Sequence, residues 1–270
     1  IKRRLERVPP IASHLLKCAA VYGRQLDLAV MDYLWGRGNY EYDLNTWFTL
    51  CNEAAVLVVH DGKWQFAHDK LREGLLTDIP ADERPMLHQV VAEALEAVYP
   101  NNGVYAEALT DHWYMAGDGV KTAQYACMAG EQALLVGNFH GAQSVLSKGL
   151  VLLPDTGYEP LHAHLLRYLG ALHWRTSDYP QAKRFYGESV DIATRIGDKS
   201  ALADALNGLA FVECLCDEYP QASEHAQIAL DNARLAHDKR NTARALSNLG
   251  IVAESEGDFI TARALYDEAV

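Results

Sequence analysis

Residues of similar type recur every 40 positions through the second half of this 270-residue chain. Four columns of such residues stay in register over four copies of the period, which chance rarely produces. The columns are Phe139, Tyr179, Tyr219 and Phe259; Ala142, Ala182, Ala222 and Ala262; Gly130, Gly170, Ala210 and Gly250; and Ala129, Leu169, Leu209 and Leu249. A fixed period of this length predicts stacked supersecondary units rather than one closed core.

Each copy of the period reads as a helical hairpin, with one helix before the aromatic residue and one after it. We expect the small residue of the first helix to face the column alanine of the second, so that the two backbones approach closely. We expect the aromatic side chain to be buried in the turn, where full burial contributes about 1.5–3 kcal/mol. Asp178 precedes Tyr179-Pro180 and is a candidate N-cap, and Gly197 is expected to end the helix that begins there.

This pattern resembles the tetratricopeptide repeat, whose signature places a large residue, Leu-Gly, aromatic residues and alanines at fixed offsets. The match is fullest in ALSNLGIVAESEGDFITARALYDEAV, through Leu246, Leu249, Gly250, Phe259, Ala262, Tyr266 and Ala269. One copy departs from the signature, because Ala226 stands where an aromatic residue is usual. The resemblance implies a right-handed α-solenoid with a half-repeat at 104–122 and repeats at about 123–162, 163–202, 203–242 and 243–270, the last incomplete.

The first hundred residues predict helices followed by a β-hairpin. Apolar residues keep helical spacing over three segments, which are Pro10–Tyr22, Leu28–Leu34 and Leu44–Ala55. Asp27 is a plausible N-cap of the second of these helices. Asp61-Gly62 lies between two apolar runs, which is the strongest short-range signal for a hairpin. Three helices and a hairpin wing make a winged-helix module, so the overall prediction is an all-α chain that carries one small wing.

A domain boundary is predicted at Tyr99-Pro100-Asn101-Asn102-Gly103, the clearest break in the chain. A long amphipathic helix from Ala81 to Val98 is expected before it. The winged-helix module and this connecting helix then occupy residues 1–99, and the repeat array occupies residues 100–270.

The front segments AAVYGRQLDL, VVHDGKWQFAHDKLREGLL and ERPMLHQVVAEALEAVYP are similar to the region after the nucleotide-binding core in bacterial signal-transducing ATPases with numerous domains. In related switch ATPases, the His of a Met-His-Asp motif is associated with the phosphates of bound ADP. Here Ala67-His68-Asp69 matches that motif except at its first residue. The resemblance therefore implies that His68 and Asp69 sense ADP or ATP held by an adjoining domain. Helix capping by Asp69, with His68 packed on the wing, is the simpler interpretation of the same residues.

Charge disfavours nucleic acid as a partner. The chain has a formal net charge of −12, and residues 86–270 hold 13 Lys and Arg against 24 Asp and Glu. Phosphate backbones are bound mainly by basic surfaces. The helix before the wing, LNTWFTLCNEAA, contains no Lys or Arg, although a winged helix would read DNA with this helix.

Composition and motifs give no sign of catalysis, metal binding or membrane insertion. The sequence contains no GxxxxGK[ST], GxSxG or HExxH motif. His162 and His164 would point about 200° apart on a helix, so no metal site is expected. The five cysteines are odd in number and scattered, which favours reduced thiols and a cytoplasmic location. No apolar run approaches the roughly 18 residues of a membrane span.

The inner groove of the repeats is the remaining candidate site, for a protein, a peptide or a small effector. The positions that line this groove in the tetratricopeptide family correspond to His164, Arg167, Trp174, Asn207, Phe211, Arg244, Ser247 and Glu254. Arg167 and Arg244 are the expected anchors for carboxylate or phosphate groups.

The resulting functional hypothesis is the sensor and coupling region of a multidomain signal-transducing ATPase regulator, without catalytic activity or cofactor of its own. Effector binding in the groove would be relayed by the winged helix to the nucleotide-binding domain. Two alternatives stay open: a free-standing adaptor that uses the same groove to scaffold partners, and a regulator that binds DNA through the winged helix.

Overall fold

The computed structural model describes residues 2–5, 7–8, 13–38, 43–100, 102–154 and 156–270. The chain divides into two compact units, a front unit of Ile1–Asp118 and a repeat unit of Gly119–Val270. The sequence break at 99–103 lies inside the front unit. The expected helix start at Pro10 and Asn101 of the break lie outside the described residues.

In its described residues, the front unit is built from helices around one short hairpin. Its elements are α1 (Lys2–Leu5), α2 (Ser13–Tyr22), α3 (Leu28–Gly36), α4 (Leu44–Glu53), β1 (Leu57–His60), β2 (Lys63–Phe66), α5 (Asp69–Asp78), α6 (Arg84–Val98) and α7 (Ala106–Ala116). Helix α3 begins as predicted, because the Asp27 carboxylate accepts hydrogen bonds from the backbone N–H groups of Ala29 and Val30. Helices α2 and α3 both pack on α6, which buries Leu15 and Val91.

The hairpin turns at the predicted dipeptide. Strands β1 and β2 pair antiparallel, with His60 opposite Lys63. Asp61 and Gly62 between them have φ angles of 50° and 74°, so both adopt the left-handed conformation of a type I′ turn. The ring of Trp64 stacks on Phe48 of α4 at a centroid distance of 4.6 Å. Aromatic stacking therefore fixes the hairpin on the preceding helix.

The start of α5 differs from the simpler sequence interpretation. Its N-cap residue is His68, and the His68 side chain makes no capping hydrogen bond. Asp69 is the first residue of the helix, and its Oδ1 lies 3.2 Å from Nε of Arg24 in an exposed ion pair. The expectation that Asp69 caps α5 is therefore wrong, and His68 is exposed instead of packed on the hairpin.

The described residues of the repeat unit form four successive helix pairs. Its helices are α8 (Gly119–Leu135), α9 (Phe139–Leu152), α10 (Glu159–Arg175), α11 (Tyr179–Ile196), α12 (Lys199–Leu215), α13 (Tyr219–Leu235), α14 (Lys239–Ser255) and α15 (Phe259–Glu268). Each second helix begins at its column aromatic, as the period predicts. Asp178 caps α11 by accepting from the backbone N–H of Gln181, and Gly197 ends that helix with a left-handed φ of 72°. No helix in the described part of the chain is long and apolar enough to cross a membrane.

The small-residue column faces a different partner from the expected one. A Cβ added to Gly130, Gly170 or Gly250 would meet the side chain of Leu146, Tyr186 or Tyr266, four positions after the column alanine. Each glycine therefore accommodates a large side chain of the second helix. The third copy has alanine at both places, Ala210 and Ala226, and both are fully buried.

The column aromatics do not fill the turns as expected. Phe259 is 66% exposed, and Phe139, Tyr179 and Tyr219 are only partly buried. The residue that is buried in this region is the column alanine: Ala142, Ala182, Ala222 and Ala262 are at most 3% exposed. The prediction that these aromatic side chains stabilise the turns through full burial is therefore wrong.

Tyr186 joins neighbouring repeats. It is 2% exposed, and its ring lies against Gly170 of α10 and Gly208 of α12, where an added Cβ would overlap ring carbons in both cases. One aromatic ring thus occupies the space that two glycines leave open. This arrangement makes both glycines sensitive to the addition of a single methyl group.

We expect Gly208→Ala to lower the free energy of unfolding by about 1–3 kcal/mol, because the methyl group overpacks against the Tyr186 ring. Urea denaturation followed by circular dichroism measures the loss. The matched control is Gly187→Ala within α11, where an added Cβ meets nothing within 4 Å. This control should be unchanged or up to about 1 kcal/mol more stable. Equal stability of the Gly208→Ala and wild-type proteins would contradict the packing described here.

Candidate functional site

A concavity of about 460 Å³ lies in the repeat unit, lined mainly by the first helices α10, α12 and α14. Four arginines line it, Arg167 and Arg175 from α10 and Arg240 and Arg244 from α14. Among its described lining residues, Asp204 of α12 is the one carboxylate. We call this concavity the arginine groove, and its lining carries a surplus of positive charge within an acidic chain.

Asp204 is held between two of these arginines. Its Oδ2 lies 3.1 Å from Nε of Arg167, and its Oδ1 accepts a hydrogen bond from Nη1 of Arg244. The side chains of Arg167 and Asp204 are 14% and 16% exposed, whereas Arg244 is 37% exposed. Burial disfavours the charge on Arg167, but Asp204 together with Tyr168 and Tyr186 more than offsets this effect, so the pKa of Arg167 is raised. The result is a charged bridge across three successive repeats.

Aromatic side chains form another part of the groove. Trp174 of α10 and Phe211 of α12 meet edge to face, with ring centroids 5.2 Å apart. The guanidinium of Arg175 lies 4.5 Å from the Trp174 ring centroid, and its Nη1 donates to the carbonyl oxygen of Ala171. Burial raises the pKa of the lining residue Tyr186 to about 12. The groove thus combines arginines with flat apolar surfaces.

Asparagines connect α12 to α14 beside the bridge. Nδ2 of Asn207 donates to the backbone oxygen of Asn241 at 2.9 Å, and Nδ2 of Asn248 donates to the backbone oxygen of Asn207 at 3.0 Å. All three side chains are at most 5% exposed. Oδ1 of Asn207 is buried without a hydrogen-bond partner in the described structure. A buried acceptor without a partner is uncommon in folded proteins, and here it lies within the network that joins α12 to α14.

The structure brings together six of the eight residues selected from sequence. Those that line the arginine groove are Arg167, Trp174, Asn207, Phe211, Arg244 and Ser247. His164 and Glu254 are exposed and do not line it. The carboxylate of Glu254 instead accepts a hydrogen bond from the Tyr266 hydroxyl at 3.2 Å.

Sequence reasoning missed Asp204, Arg175 and Arg240. The period contained a signal for the first of these, because Asp204 occupies the same column as His164 and Arg244, 40 residues from each. Opposite charges at equivalent positions of neighbouring repeats were therefore visible in the sequence. Arg175 lies at the end of α10 and Arg240 near the start of α14, where groove-lining positions are harder to assign from a helical pattern.

Comparison with known proteins supports the repeat fold. Residues 201–270, which include most of α12 and all of α13 to α15, match the tetratricopeptide repeat family. Repeats of this type are generally protein-interaction modules. No curated protein matches the chain in sequence.

Several solved structures are similar to the chain in fold. BtubC from P. vanneervenii is 19% identical, with a TM-score of 0.54 over 75% of this chain and 81% of that one. A signal transduction ATPase with numerous domains from Pyrococcus horikoshii, described as having a tetratricopeptide repeat sensor, is 12% identical with a TM-score of 0.52. The alignment covers 98% of this chain but only 44% of that protein. Aspartyl phosphate phosphatase F from Bacillus subtilis is 10% identical, with a TM-score of 0.52 over 96% of this chain and 73% of that one. At these identities, the similarity shows a shared helical-repeat fold.

We expect Asn207→Ala to lower the free energy of unfolding by about 1–3 kcal/mol, because it removes the donor to Asn241 within a buried network. Asn232→Ala is the control, since Nδ2 of Asn232 donates to the backbone oxygen of Ile228 within its own helix. The control should stay within about 0.5 kcal/mol of wild type. Urea denaturation of the variants compares them, and equal losses would show that the asparagine network does not tie α12 to α14.

Proposed function

We propose that the arginine groove binds an extended segment of a protein partner, and that the chain is the sensor and coupling region of a multidomain signal-transducing ATPase regulator. The observation that carries the first part is the combination of four arginines with Trp174 and Phe211 in one concavity. The second part rests on fold similarity along nearly the whole chain to an ATPase with a repeat sensor.

The dimensions of the arginine groove suit an extended chain. Three neighbouring first helices, each about 8–10 Å from the next, span about 20 Å. This length equals about six residues of extended polypeptide at about 3.3 Å each. A volume of about 460 Å³ also lies within the usual range of about 300–1,000 Å³ for ligand pockets. A partner segment that crosses the three helices would meet the arginine bridge and the aromatic pair together.

The chemistry of the lining favours a partner with both apolar and acidic side chains. Trp174 and Phe211 present rigid aromatic surface, the kind of residue that dominates protein interfaces. Arg244 is the more exposed end of the bridge, and a guanidinium group binds carboxylates in a two-pronged geometry. The positive groove would also attract an acidic segment over a distance, since the rest of the chain is acidic.

A random peptide library tests this part of the proposal. We expect full-length protein to retain peptides of about twelve residues, long enough to cross the groove, and Trp174→Ala to weaken their binding about tenfold or more. Fluorescence anisotropy with a labelled copy of a retained peptide measures the change.

The control for this test is Tyr158→Ala, which removes an exposed aromatic side chain outside the groove. It should leave peptide affinity unchanged. The proposal of a peptide-binding groove fails if wild type retains no peptide, or if Tyr158→Ala and Trp174→Ala act alike.

The front unit supplies the coupling element of the proposal. Its helices α2, α3 and α4 followed by the hairpin of β1 and β2 fit the composition of a winged-helix module. His68 directly follows this module, and its side chain is exposed without a capping hydrogen bond. An imidazole in this position can donate to a phosphate oxygen of ADP bound by an adjoining domain. Such a contact would make the domain arrangement depend on the bound nucleotide.

Nucleotide analysis of the full-length parent protein tests the coupling role. We expect about one ADP per chain in wild-type protein, and a loss of ADP or a shift toward ATP in His68→Ala, because the substitution removes the donor to the phosphate. Chromatography of the denatured proteins measures the content. His60→Ala is the control, since His60 is also exposed and pairs with Asp61 on the hairpin.

A parent protein without nucleotide would instead favour the adaptor, which uses the same groove but has no nucleotide-dependent state. Equal nucleotide contents in the His60→Ala and His68→Ala proteins would remove His68 from the coupling mechanism. Neither outcome affects the peptide test, because that test depends on residues of the repeat unit alone.

A further inference from the structure

The Asp204 carboxylate has the environment of a bound ligand. One of its oxygens faces Arg167 of the preceding first helix at 3.1 Å, and the other accepts a hydrogen bond from Arg244 of the following one. A carboxylate whose two oxygens are each engaged by a guanidinium group is the arrangement by which proteins capture acidic ligands. In the arginine groove, this carboxylate is supplied by the chain itself.

The bridge satisfies its two arginines unequally. Nε of Arg167 is buried and lacks a hydrogen bond of acceptable geometry, although Asp204 lies within ion-pair distance. Arg244 is more exposed, and its Nη1 has a second acceptor, Oδ1 of Asn241 at 3.2 Å. Asp204 is therefore shared between a buried donor that it does not satisfy and an exposed donor that has another partner. If the carboxylate moved toward Arg167, it would form the missing hydrogen bond with Nε of Arg167 and would release Arg244.

The other arginines of the groove are arranged differently. Arg175 stacks on Trp174 and donates to a carbonyl oxygen of its own helix. Arg240 is exposed near the start of α14 and lines the same concavity. Even when Asp204 is counted, the described lining contains three more arginines than carboxylates. An incoming acidic group therefore enters a positive field even before any exchange takes place.

We infer that Asp204 is an internal substitute for an acidic side chain of the bound protein segment. On binding, a Glu or Asp of that segment takes over Arg244, and Asp204 stays with the buried Arg167. The inference rests on the proposed peptide-binding groove and specifies its ligand as an acidic segment. Since every arginine of the bridge keeps a carboxylate throughout, the exchange costs no unpaired charge.

The exchange also makes the affinity of the groove depend on whether a segment contains an acidic residue. A segment without an acidic residue leaves the bridge in place, whereas an acidic segment must compete with Asp204 for Arg244. Because Asp204 competes for Arg244, every acidic ligand binds with a lower apparent affinity. The free energy of the Asp204–Arg244 ion pair sets the size of this reduction. Removal of the Asp204 charge should therefore tighten the binding of acidic segments while it weakens the fold. A purely structural bridge would show only the second effect.

The test begins with the random peptide library on the full chain. We expect retained peptides to be enriched in Asp and Glu relative to the unselected library. One retained acidic peptide and its copy with Glu replaced by Gln are then titrated by fluorescence anisotropy. Asp204→Asn should bind the acidic peptide about fivefold tighter or more, bind the Gln copy unchanged, and melt at a lower temperature than wild type.

The matched control is Asp191→Asn, an exposed carboxylate of α11 outside the groove lining. It changes the net charge by the same amount, so a long-range electrostatic effect would appear equally in both variants. Should Asp204→Asn not fold, Arg244→Gln serves instead, and it should abolish the preference for the acidic peptide over the Gln copy. Inorganic phosphate at matched ionic strength should not displace the acidic peptide.

The outcomes separate the two proposals. Failure of wild type to retain any peptide overturns the proposed function. Retained peptides without acidic enrichment, or an Asp204→Asn protein that binds the acidic peptide no tighter than wild type, overturn the exchange and leave the groove intact. Displacement by phosphate at matched ionic strength shows a site for free anions and overturns the assignment to a peptide carboxylate.

Discussion

The close approach of a glycine in one helix to a large side chain in the next is the constraint on which the repeat unit depends. Tyr186 shows its reach, because the ring fills the space left by Gly170 in its own repeat and by Gly208 in the following one. The same ring lines the arginine groove. Tyr186 therefore contributes both to helix packing and to the groove wall, so a substitution that displaces its ring also changes the groove.

The arginine groove is positively charged, although the chain as a whole is negatively charged. The formal net charge is −12, yet four arginines line one concavity, and two of them, Arg167 and Arg244, share the Asp204 carboxylate. Burying part of an ion pair costs desolvation energy, which is recovered only with good geometry. The Arg167 Nε that lacks a well-formed hydrogen bond is a departure from such geometry. Departures of this kind are expected at functional sites, where the fold is not optimised for stability alone.

The two units contribute different properties to the proposed regulator. The repeat unit contains a groove formed by several repeats. Binding of a ligand that spans several first helices therefore depends on the relative positions of those helices. The front unit offers a hairpin fixed on α4 by stacking of Trp64 on Phe48 and an exposed imidazole just after it. Signal relay would require each ligand to favour one of two arrangements of the parent protein.

The sequence by itself determined the 40-residue period, the start of each second helix and the Asp61-Gly62 turn, because capping, turn conformation and helical spacing are local properties. Through the resemblance to the tetratricopeptide repeat, it also identified six of the fifteen described residues that line the groove. Only the tertiary structure decided that glycines face large side chains instead of alanines, that Phe259 is exposed, and that Asp204 lies between Arg167 and Arg244. These contacts depend on the rotation and stacking of helices that are distant in sequence, which a one-dimensional pattern leaves undetermined.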